Sequence, residues 1–257
     1  MGILINGVDA KAAYGWTARL PAGWADAPVR VTQTAQLLNR QGARALALPQ
    51  EQPRKITLPG WVIGSSVADR LAKLDALKNA LSAPGGVQLV FPDNSTRYIT
   101  ASLDTITVGA GNGAAFIERT LPCDIGMTAL DPYFYDTALT TMTVGGGSYI
   151  PLGTAPSRPV ITKTGPETTA IELDLYTYDS AIVTSMHLSG TLGSGDTLVV
   201  DCDAMTITKN GVNALALLTS GDFMKLDPAL GNFALSHWPQ IAMTGTAGTV
   251  AYRKAWR

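Results

Sequence analysis

The pair of acids most suggestive of catalysis is Glu172 and Asp174, which flank Leu173. They match the first two positions of an E-x-D-x-x-E strand pattern. In a glycoside hydrolase, one such carboxyl donates a proton while another acts as nucleophile or base. The third position, where the pattern needs an acid, is Thr177. The segment is therefore more typical of the polar outward face of an alternating strand than of a catalytic site.

The other residues with chemical potential do not form a recognisable set. His187 and His237 have no Cys or His at zinc-ligand spacing, and Asp201-Cys202-Asp203 lacks the Gly and the terminal Glu of a calcium loop. The glycines between Gly109 and Gly113 lack both the spacing and the following helix of a dinucleotide-binding loop. We therefore expect no catalytic, cofactor-binding or metal site, and no enzyme.

Aromatic residues could supply a platform on which sugars stack. They have no common strand-face spacing, so anchors in a core or an interface are the expected role. The residues concerned are Trp16, Trp24, Trp61, Trp238, Trp256, Tyr133, Phe134 and Tyr135.

Composition limits the possible partners and the fold. Among 257 residues only 15% are charged, and 19 Lys and Arg balance 20 Asp and Glu, so the chain has no cationic surface for gripping nucleic acid. The 29 Thr and 4 Glu favour a mainly β fold. Cys123 and Cys202 are expected in the core as free thiols. Residues 1–15 lack a signal peptide and no apolar run reaches a membrane span, so we expect cytoplasmic synthesis without membrane insertion.

One amphipathic helix is predicted, packed on a sheet. Ser66 is a suitable N-cap with Asp69 as its capping-box partner, and Pro84-Gly85-Gly86 ends the helix. Apolar residues recur at helical spacing and predict the buried stripe: Val67, Leu71, Leu74, Leu77 and Leu81. Charged residues fall off that stripe and are expected to face solvent: Asp69, Arg70, Lys73, Asp75 and Lys78.

Strand patterns surround this helix. Residues 87–91 and 97–103 predict a hairpin, 115–125 a further strand, and 39–59, rich in Arg and Pro, an extended arm feeding a strand at 55–58. The second half has short strand-like runs separated by turns, typical of a β-sandwich. These runs are 160–163, 170–176, 185–188, 197–202, 205–208, 213–218, 232–236 and 249–256. Asn210-Gly211 and Asp203-Ala204 are predicted turns.

The order of these features resembles the distal tail protein (Dit) family of long-tailed, siphovirus-type bacteriophages. The N-terminal segments that carry the resemblance are Gly7-Val8-Asp9, Tyr14-Gly15, residues 54–60, 69–77, 87–93 and 97–103, and Asp131-Pro132-Tyr133-Phe134-Tyr135. The C-terminal ones are residues 195–202, 206–213, 223–226 and 251–256. Each piece is common alone, and the specificity comes from their order and spacing over nearly the whole chain.

The resemblance implies a fold and a division of labour. Residues 1–133 are expected to form a ring-forming, tube-attachment β domain with its arm near 39–59. Residues 134–257 are expected to form a galectin-like, jelly-roll β-sandwich. Since the His-Asn-Pro-Arg and Trp-Glu elements of true galectins are missing, sugar binding does not follow from the fold.

The function implied is that of a virion structural protein at the distal end of the tail, in the tail tip or baseplate hub. Six copies would form a homohexamer whose channel passes DNA without binding it specifically. Its expected partners are the tail tube protein and the tail tip or tail-associated fibre hub protein, with receptor-binding or side-fibre proteins as further candidates. The alternative is a carbohydrate-binding or glycoside-cleaving β-sandwich module.

Overall fold

A computed structural model describes residues 2–20, 26–31, 34–36, 43–45, 50–109, 119–145, 148–231 and 239–257. The chain divides into two compact units: unit 1 is Met1–Phe134 together with Arg257, and unit 2 is Tyr135–Trp256. The fold is mainly β with one long helix, as the sequence predicts. Within the described ranges, no helix is both long enough and apolar enough to cross a membrane.

Unit 1 is an antiparallel sheet with two helices. Its strands are β1 (Leu4–Ile5), β2 (Val8–Asp9), β3 (Trp16–Ala18), β4 (Arg30–Val31), β5 (Thr34–Gln36), β6 (Ala43–Ala45), β7 (Gln50–Glu51), β8 (Arg54–Leu58), β9 (Gly60–Ile63), β10 (Val87–Phe91), β11 (Asn94–Val108) and β12 (Thr120–Ala129). The helices are α1 (Ala10–Tyr14) and α2 (Val67–Leu81). The main sheet has the order β2-β1-β10-β11-β12-β9-β3, and β8 also pairs with β12.

The predicted hairpin forms with a tighter turn than expected. β10 pairs with β11 from Val87↔Ala101 to Phe91↔Asn94, so Pro92 and Asp93 alone make the turn. Ile99 and Ala101 are buried while Thr100 and Ser102 are exposed, which follows the alternation in the sequence. The strand predicted at 115–125 is β12, which starts at Thr120 and runs to Ala129; residues 115–118 lie outside the described ranges.

The helix α2 begins at the predicted cap, and Ser66 Oγ accepts the Asp69 amide at 3.2 Å. Asp69 reaches back to the amide of Ser65, at 2.7 Å, rather than to that of Ser66. The hydrogen bond from Ser65, followed by the Lys73 ammonium, lowers the pKa of Asp69 to about 2. These contacts fix the start of the helix.

The predicted buried stripe of α2 is correct for its C-terminal part and wrong for its N-terminal part. Leu74, Leu77 and Leu81 are buried, but Val67 and Leu71 are exposed. Arg70, expected in solvent, is buried because it stands on the same helical face, four residues before Leu74. The buried face of α2 is therefore formed by residues 70, 74, 77 and 81, and Val67 and Leu71 at the N-terminal end of the apolar stripe are exposed.

Unit 2 contains two sheets, and β13 (Phe134–Asp136) lies at the boundary of the units. The first sheet is ordered β14-β24-β16-β19-β20-β21 and the second β15-β23-β17-β18-β22. The strands are β14 (Thr140–Val144), β15 (Ser148–Tyr149), β16 (Val160–Thr164), β17 (Ile171–Tyr176), β18 (Ile182–Leu188), β19 (Thr197–Asp201), β20 (Thr206–Lys209), β21 (Val212–Asn213), β22 (Leu218–Gly221), β23 (Gln240–Met243), β24 (Gly248–Tyr252) and β25 (Ala255–Trp256).

Both sheets contribute side chains to one core, as expected for a β-sandwich. Ile161 and Val250 come from the first sheet, and Leu173, Met186 and Ile241 from the second, all at most 1% exposed. Most predicted strands of this half are present with shifted ends. The predicted strand 213–218 is wrong: a 3₁₀ turn, Leu215–Leu217, interrupts it after β21. The predicted strand 232–236 lies outside the described residues.

Turn chemistry follows the sequence closely. Asn210 and Gly211 have φ of 52° and 77° and join β20 to β21, where Lys209 pairs with Val212. Asp201 Oδ1 accepts the amides of Asp203 and Ala204 at 2.9 Å each, which closes the preceding turn. Of the two acids in Asp201-Cys202-Asp203, Asp201 therefore has a structural role, since its carboxylate closes the turn.

Candidate functional site

Two short two-stranded ladders of unit 1 precede β8 in the chain. β4 pairs with β7 (Arg30↔Glu51) and β5 pairs with β6 (Ala35↔Arg44), both antiparallel. We call these two ladders, β4 to β7, together the ribbon. Among the described residues, no other strand pairs with it.

The ribbon includes part of the predicted arm, residues 39–59. Residues 43–45 and 50–51 belong to the ribbon, whereas 54–58 belong to the main sheet as β8, which starts one residue earlier than predicted. Residues 39–42 and 46–49 lie outside the described part of the chain. The ribbon also begins earlier in the sequence, at Arg30, where no apolar alternation signals a strand.

A buried carboxylate anchors the base of the ribbon. Glu51 Oε1 accepts Arg30 Nε at 3.0 Å, Arg30 Nη2 at 2.9 Å and Arg257 Nε at 2.7 Å, while only 8% of the Glu51 side chain is exposed. The Tyr133 hydroxyl faces the same carboxylate. Burial and then this contact with Glu51 raise the pKa of Tyr133. The phenol stays protonated and the carboxylate ionised at neutral pH, which suits a fixed anchor.

Arg54, the first residue of β8, fastens the chain just after the ribbon. Its Nε donates to the Pro132 carbonyl at 3.2 Å, and its guanidinium lies 4.9 Å from the centre of the Phe134 ring. Phe134 in turn meets Phe91 edge to face, with ring centres 6.4 Å apart. This cation–π and aromatic stack joins Arg54 to the core strand β10.

The ribbon has two chemically different faces at its base. Arg30 points to the same face as Glu51, towards Tyr133 and Arg257, because directly opposed residues of an antiparallel pair share a face. Val29 and Val31 alternate with Arg30 and point the other way, and both are exposed. The amide of Gln52 donates to the Val29 carbonyl at 2.8 Å, so Val29 is held in the ladder as well.

The acids Glu172 and Asp174 do come together with His187, on the outward face of β17 and β18. Glu172 Oε1 lies 3.4 Å from His187 Nδ1, and His187 Nε2 lies 3.2 Å from Ser185 Oγ. Ser185 donates to Asp174 Oδ1, and the Tyr176 hydroxyl donates to Asp174 Oδ2 at 3.2 Å. We call these five residues the polar row.

In the polar row an acid (Glu172), a histidine (His187) and a serine (Ser185) contact one another in that order, as in a catalytic triad. The hydrogen bonds, however, do not activate the serine. The Ser185 hydroxyl donates to Asp174 and not to His187, so the serine is not aligned to pass its proton to the histidine. Thr177, the third position of the glycosidase pattern, binds the turn residues Asp179 and Ala181. Both carboxylates are thus committed to neighbours in the strand pair.

Unit 2 also contains a buried ion pair that sequence reasoning did not find. Lys163 Nζ donates to the carbonyls of Thr244 and Thr246 at 2.6 and 2.5 Å and lies 3.2 Å from Glu167 Oε2, with 1% of the lysine side chain exposed. Glu167 accepts the Thr246 amide at 3.0 Å. The amide bond and then Lys163 lower the pKa of Glu167. This set holds the β23–β24 turn against β16.

The aromatic residues predicted as core or interface anchors differ in burial. Trp16 is buried and its Nε1 donates to the Cys123 carbonyl at 3.2 Å, and Trp256 Nε1 donates to Asp136 Oδ1 at 2.7 Å. Trp61 is exposed on β9. Trp24, Trp238 and His237 lie outside the described ranges.

The two cysteines are buried free thiols, as predicted. Burial raises the pKa of Cys123 and of Cys202 to about 11. In the portion of the chain that the structure describes, no three His, Cys, Asp or Glu residues are grouped to hold a metal ion.

Comparison with known proteins gives this architecture a context. Residues 152–256 match the family described as siphovirus-type tail component, C-terminal domain. The distal tail protein of Bacillus phage SPP1 is 26% identical over 190 residues, which cover 72% of this chain and 73% of that protein.

Two solved structures share the fold. The crystal structure of SPP1 Dit, described as a paradigm of the hub adsorption apparatus in phages that infect Gram-positive bacteria, has a TM-score of 0.79 at 15% identity and covers 100% of this chain and 99% of that one. A chain of the phage p2 baseplate, in its activated conformation with strontium, has a TM-score of 0.52 at 11% identity, covering 93% and 90%.

These findings define a class of protein. The chain is a structural component of a bacteriophage tail or baseplate. Residues 152–256 carry the siphovirus-type tail component domain, and the chain as a whole is similar to the distal tail protein of SPP1, which supports a location in the tail of the virion.

Proposed function

We propose that six copies of the chain form a ring at the distal end of the tail, with unit 1 as the ring-forming part. The ring joins the end of the tail tube to the tip or fibre-anchoring protein and leaves a central channel for DNA. Unit 2 provides the outer surface for tip, receptor-binding or side-fibre proteins. The protein works through its shape, without catalysis and without a cofactor.

The observation that carries the proposal is the isolated ribbon. A two-stranded antiparallel pair is marginally stable in water unless a further strand or surface covers it. This ribbon has no further strand among the described residues, yet its base is fixed by Glu51 through three hydrogen bonds. An anchored element with an uncovered outer face is suited to contact another subunit, and a cyclic ring repeats such a contact until it closes.

The charge of the chain supports a conduit. A protein that neutralises many phosphates binds DNA strongly, because it releases the condensed counterions. With 19 basic and 20 acidic residues, this chain has no excess positive charge for that purpose. A nearly neutral ring lets DNA pass without holding it.

The alternative of a carbohydrate-binding or glycoside-cleaving module has less support. It would depend on the polar row, whose carboxylates already serve His187, Ser185 and Tyr176. Glycan-array binding, or hydrolysis that is lost in Glu172→Gln, would favour it over the structural role.

Native mass spectrometry of the purified protein tests the ring, with and without tube and tip proteins. We expect a sixfold species, and we expect it to be lost when residues 34–45 are replaced by a short Gly-Ser linker that removes the β5–β6 ladder. Asn210→Asp, which keeps an X-Gly turn between β20 and β21, is the control in unit 2. A linker variant that still forms hexamers would contradict the role of the ribbon.

A further inference from the structure

The strand β14, the first strand of unit 2's six-stranded sheet, has an open side. β24 pairs with it along all five residues, from Thr140↔Tyr252 to Val144↔Gly248, without a bulge. Among the described residues no strand pairs with its other side. The backbone amides and carbonyls that point to that side are therefore available to a further strand.

β14 lacks the features with which proteins commonly protect such an edge. These features are short length, charged side chains, proline and bulges. Among the described strands, the other end strands of the two sheets, β21, β15 and β22, have two, two and four residues, whereas β14 has five. Residues 137–147 contain no Lys, Arg, Asp, Glu or Pro. The edge is thus suited to pairing with an added strand.

The side chains of β14 suit an added strand as well. Four of its five residues are Thr or Val, the β-branched types that strands favour. Val144 is buried and Met142 packs against the core of unit 2, while Thr141 and Thr143 are exposed on the other face. An added strand would lie beside Met142 on the core side and beside the two threonines on the outer side.

The chemistry of the edge selects its occupant. Since β14 carries no charge, a charged side chain beside it on the added strand would lose water without gaining an ionic partner. With five residues, the edge is only about 17 Å long and one strand wide. Stable contacts between folded proteins cover about 800 Å² on each partner. The edge therefore fits an extended, uncharged segment rather than a folded surface.

We propose that β14 receives an extended, uncharged segment, rich in β-branched residues, of a tip or side-fibre protein, which adds to the six-stranded sheet as a seventh strand. This inference rests on the proposed role of unit 2 as the outer surface of the ring. A second copy of the chain is a poorer occupant. Pairing β14 with β14 joins like surfaces and closes at two copies, whereas a ring repeats a contact between unlike surfaces.

A peptide tests the edge by itself. The probe is acetyl-Ala-Leu-Thr-Thr-Met-Thr-Val-amide, which repeats residues 138–144. The control peptide has Pro in place of the adjacent second Thr and Met. Because successive amides of a strand point to opposite sides, one of these two prolines always faces β14. We expect the probe in excess over the full chain to slow hydrogen exchange of the β14 amides by about fivefold or more, and the control peptide to leave it unchanged.

Variants of the full chain show whether the protection belongs to β14. Thr141→Lys/Thr143→Lys places two charges on the edge and should abolish the protection. Thr206→Lys/Thr219→Lys is the matched control, because it adds the same charges at exposed threonines of β20 and β22 and should keep the protection. Protection that survives in Thr141→Lys/Thr143→Lys would overturn the edge as the binding site.

Photo-cross-linking identifies the occupant. The cross-linker p-benzoylphenylalanine replaces Thr143 in the full chain, which is assembled with the tip and side-fibre proteins and irradiated. We expect a product with an uncharged segment of one of those proteins. The same group in place of Thr206 should give about tenfold less product.

Each outcome decides one claim. Exchange that the probe leaves unchanged, or that both peptides slow equally, overturns strand addition at β14. A cross-link from position 143 to a second copy or to a charged segment, or no cross-link at all, overturns the proposed occupant. Protection by the probe in a protein that never forms hexamers supports the pairing edge and overturns the ring, so the two proposals fail separately.

Discussion

Arg257 Nε lies 2.7 Å from Glu51 Oε1, joining two residues that are 206 positions apart in the chain. Arg30 donates to the same oxygen from the opposite strand of the ribbon. The carboxylate thus connects both strands at the base of the ribbon to the body of unit 1. The position of the base of the ribbon therefore depends on a few charged hydrogen bonds.

Glu51→Gln should loosen the base of the ribbon without unfolding unit 1. The amide oxygen still accepts hydrogen bonds but carries no negative charge for the two guanidinium groups, and a hydrogen bond between charged groups contributes about 1.5 kcal/mol, or roughly tenfold in local opening. Hydrogen exchange of the backbone amides near Arg30 and Gln52 is the measurement. Asp75→Asn, at an exposed ion pair of α2, is the control. Unchanged exchange in Glu51→Gln would contradict the anchoring role.

Lys163→Met should destabilise unit 2 by about 3 kcal/mol, because Glu167 would lose its buried partner and two carbonyls their donor. Adding Glu167→Gln should make the combined loss smaller than the sum of the single losses, by about 1 kcal/mol, since the two groups interact directly. Chemical denaturation of the four proteins in the cycle measures this coupling. Additive losses would show that the pair is not coupled.

Arg70→Met should stabilise unit 1. Nε and Nη1 of Arg70 are buried without a hydrogen-bond partner in the described structure, and removing such a group in favour of an apolar side chain of similar length gains about 1 to 3 kcal/mol. Thermal and chemical unfolding would measure the change, with Lys78→Met, at a side chain that is 45% exposed, as the comparison. A loss of stability in Arg70→Met would mean that the guanidinium has a stabilising contact.

Asp196 should contribute an acid-dependent share of the stability of unit 2. The Lys209 ammonium first, then Asn210 and the Gly193 amide, lower the pKa of Asp196 from 3.8 to about 2. The folded state therefore favours the ionised form. Its contribution is fully present above pH 3.8 and is lost as the pH falls towards 2.

Denaturation midpoints between pH 5 and pH 2 check the effect of Asp196. In Asp196→Asn the fall in stability across this window should be shallower than in the wild type. Asp203→Asn, at an exposed turn residue, should follow the wild-type curve. If the stability of Asp196→Asn falls with pH as steeply as that of the wild type, Asp196 does not contribute to the loss of stability in acid.

Much of the fold follows from local pattern. The cap at Ser66, the hairpin of β10 and β11 and the Asn210-Gly211 turn were all predictable, because each depends on residues close together in sequence. The stripe of α2 was predicted too long, since periodicity locates an apolar face but not how far the sheet covers it. Arg70 was predicted to face solvent because it is charged, although its spacing from Leu74 and Leu77 places it on the buried face of α2.

The candidate site was harder to predict because its contacts are distant in sequence. The pairing of Arg30 with Glu51 and the bond from Arg257 bring together segments without apolar alternation, and no local signal marks them. Glu172 and Asp174 were predicted to lie on an outward strand face, but only the register of β17 on β18 places Glu172 opposite His187. Lys163 and Glu167 carry no sign of burial in their sequence.

The mass of the assembled particle is the most direct test of the central claim, which is that the chain acts as one sixth of a ring. Native mass spectrometry of the wild-type protein, alone and with the tube and tip proteins, should show a species near six times the 27.0 kDa chain, about 162 kDa. Monomer as the dominant species under every one of these conditions would contradict the account.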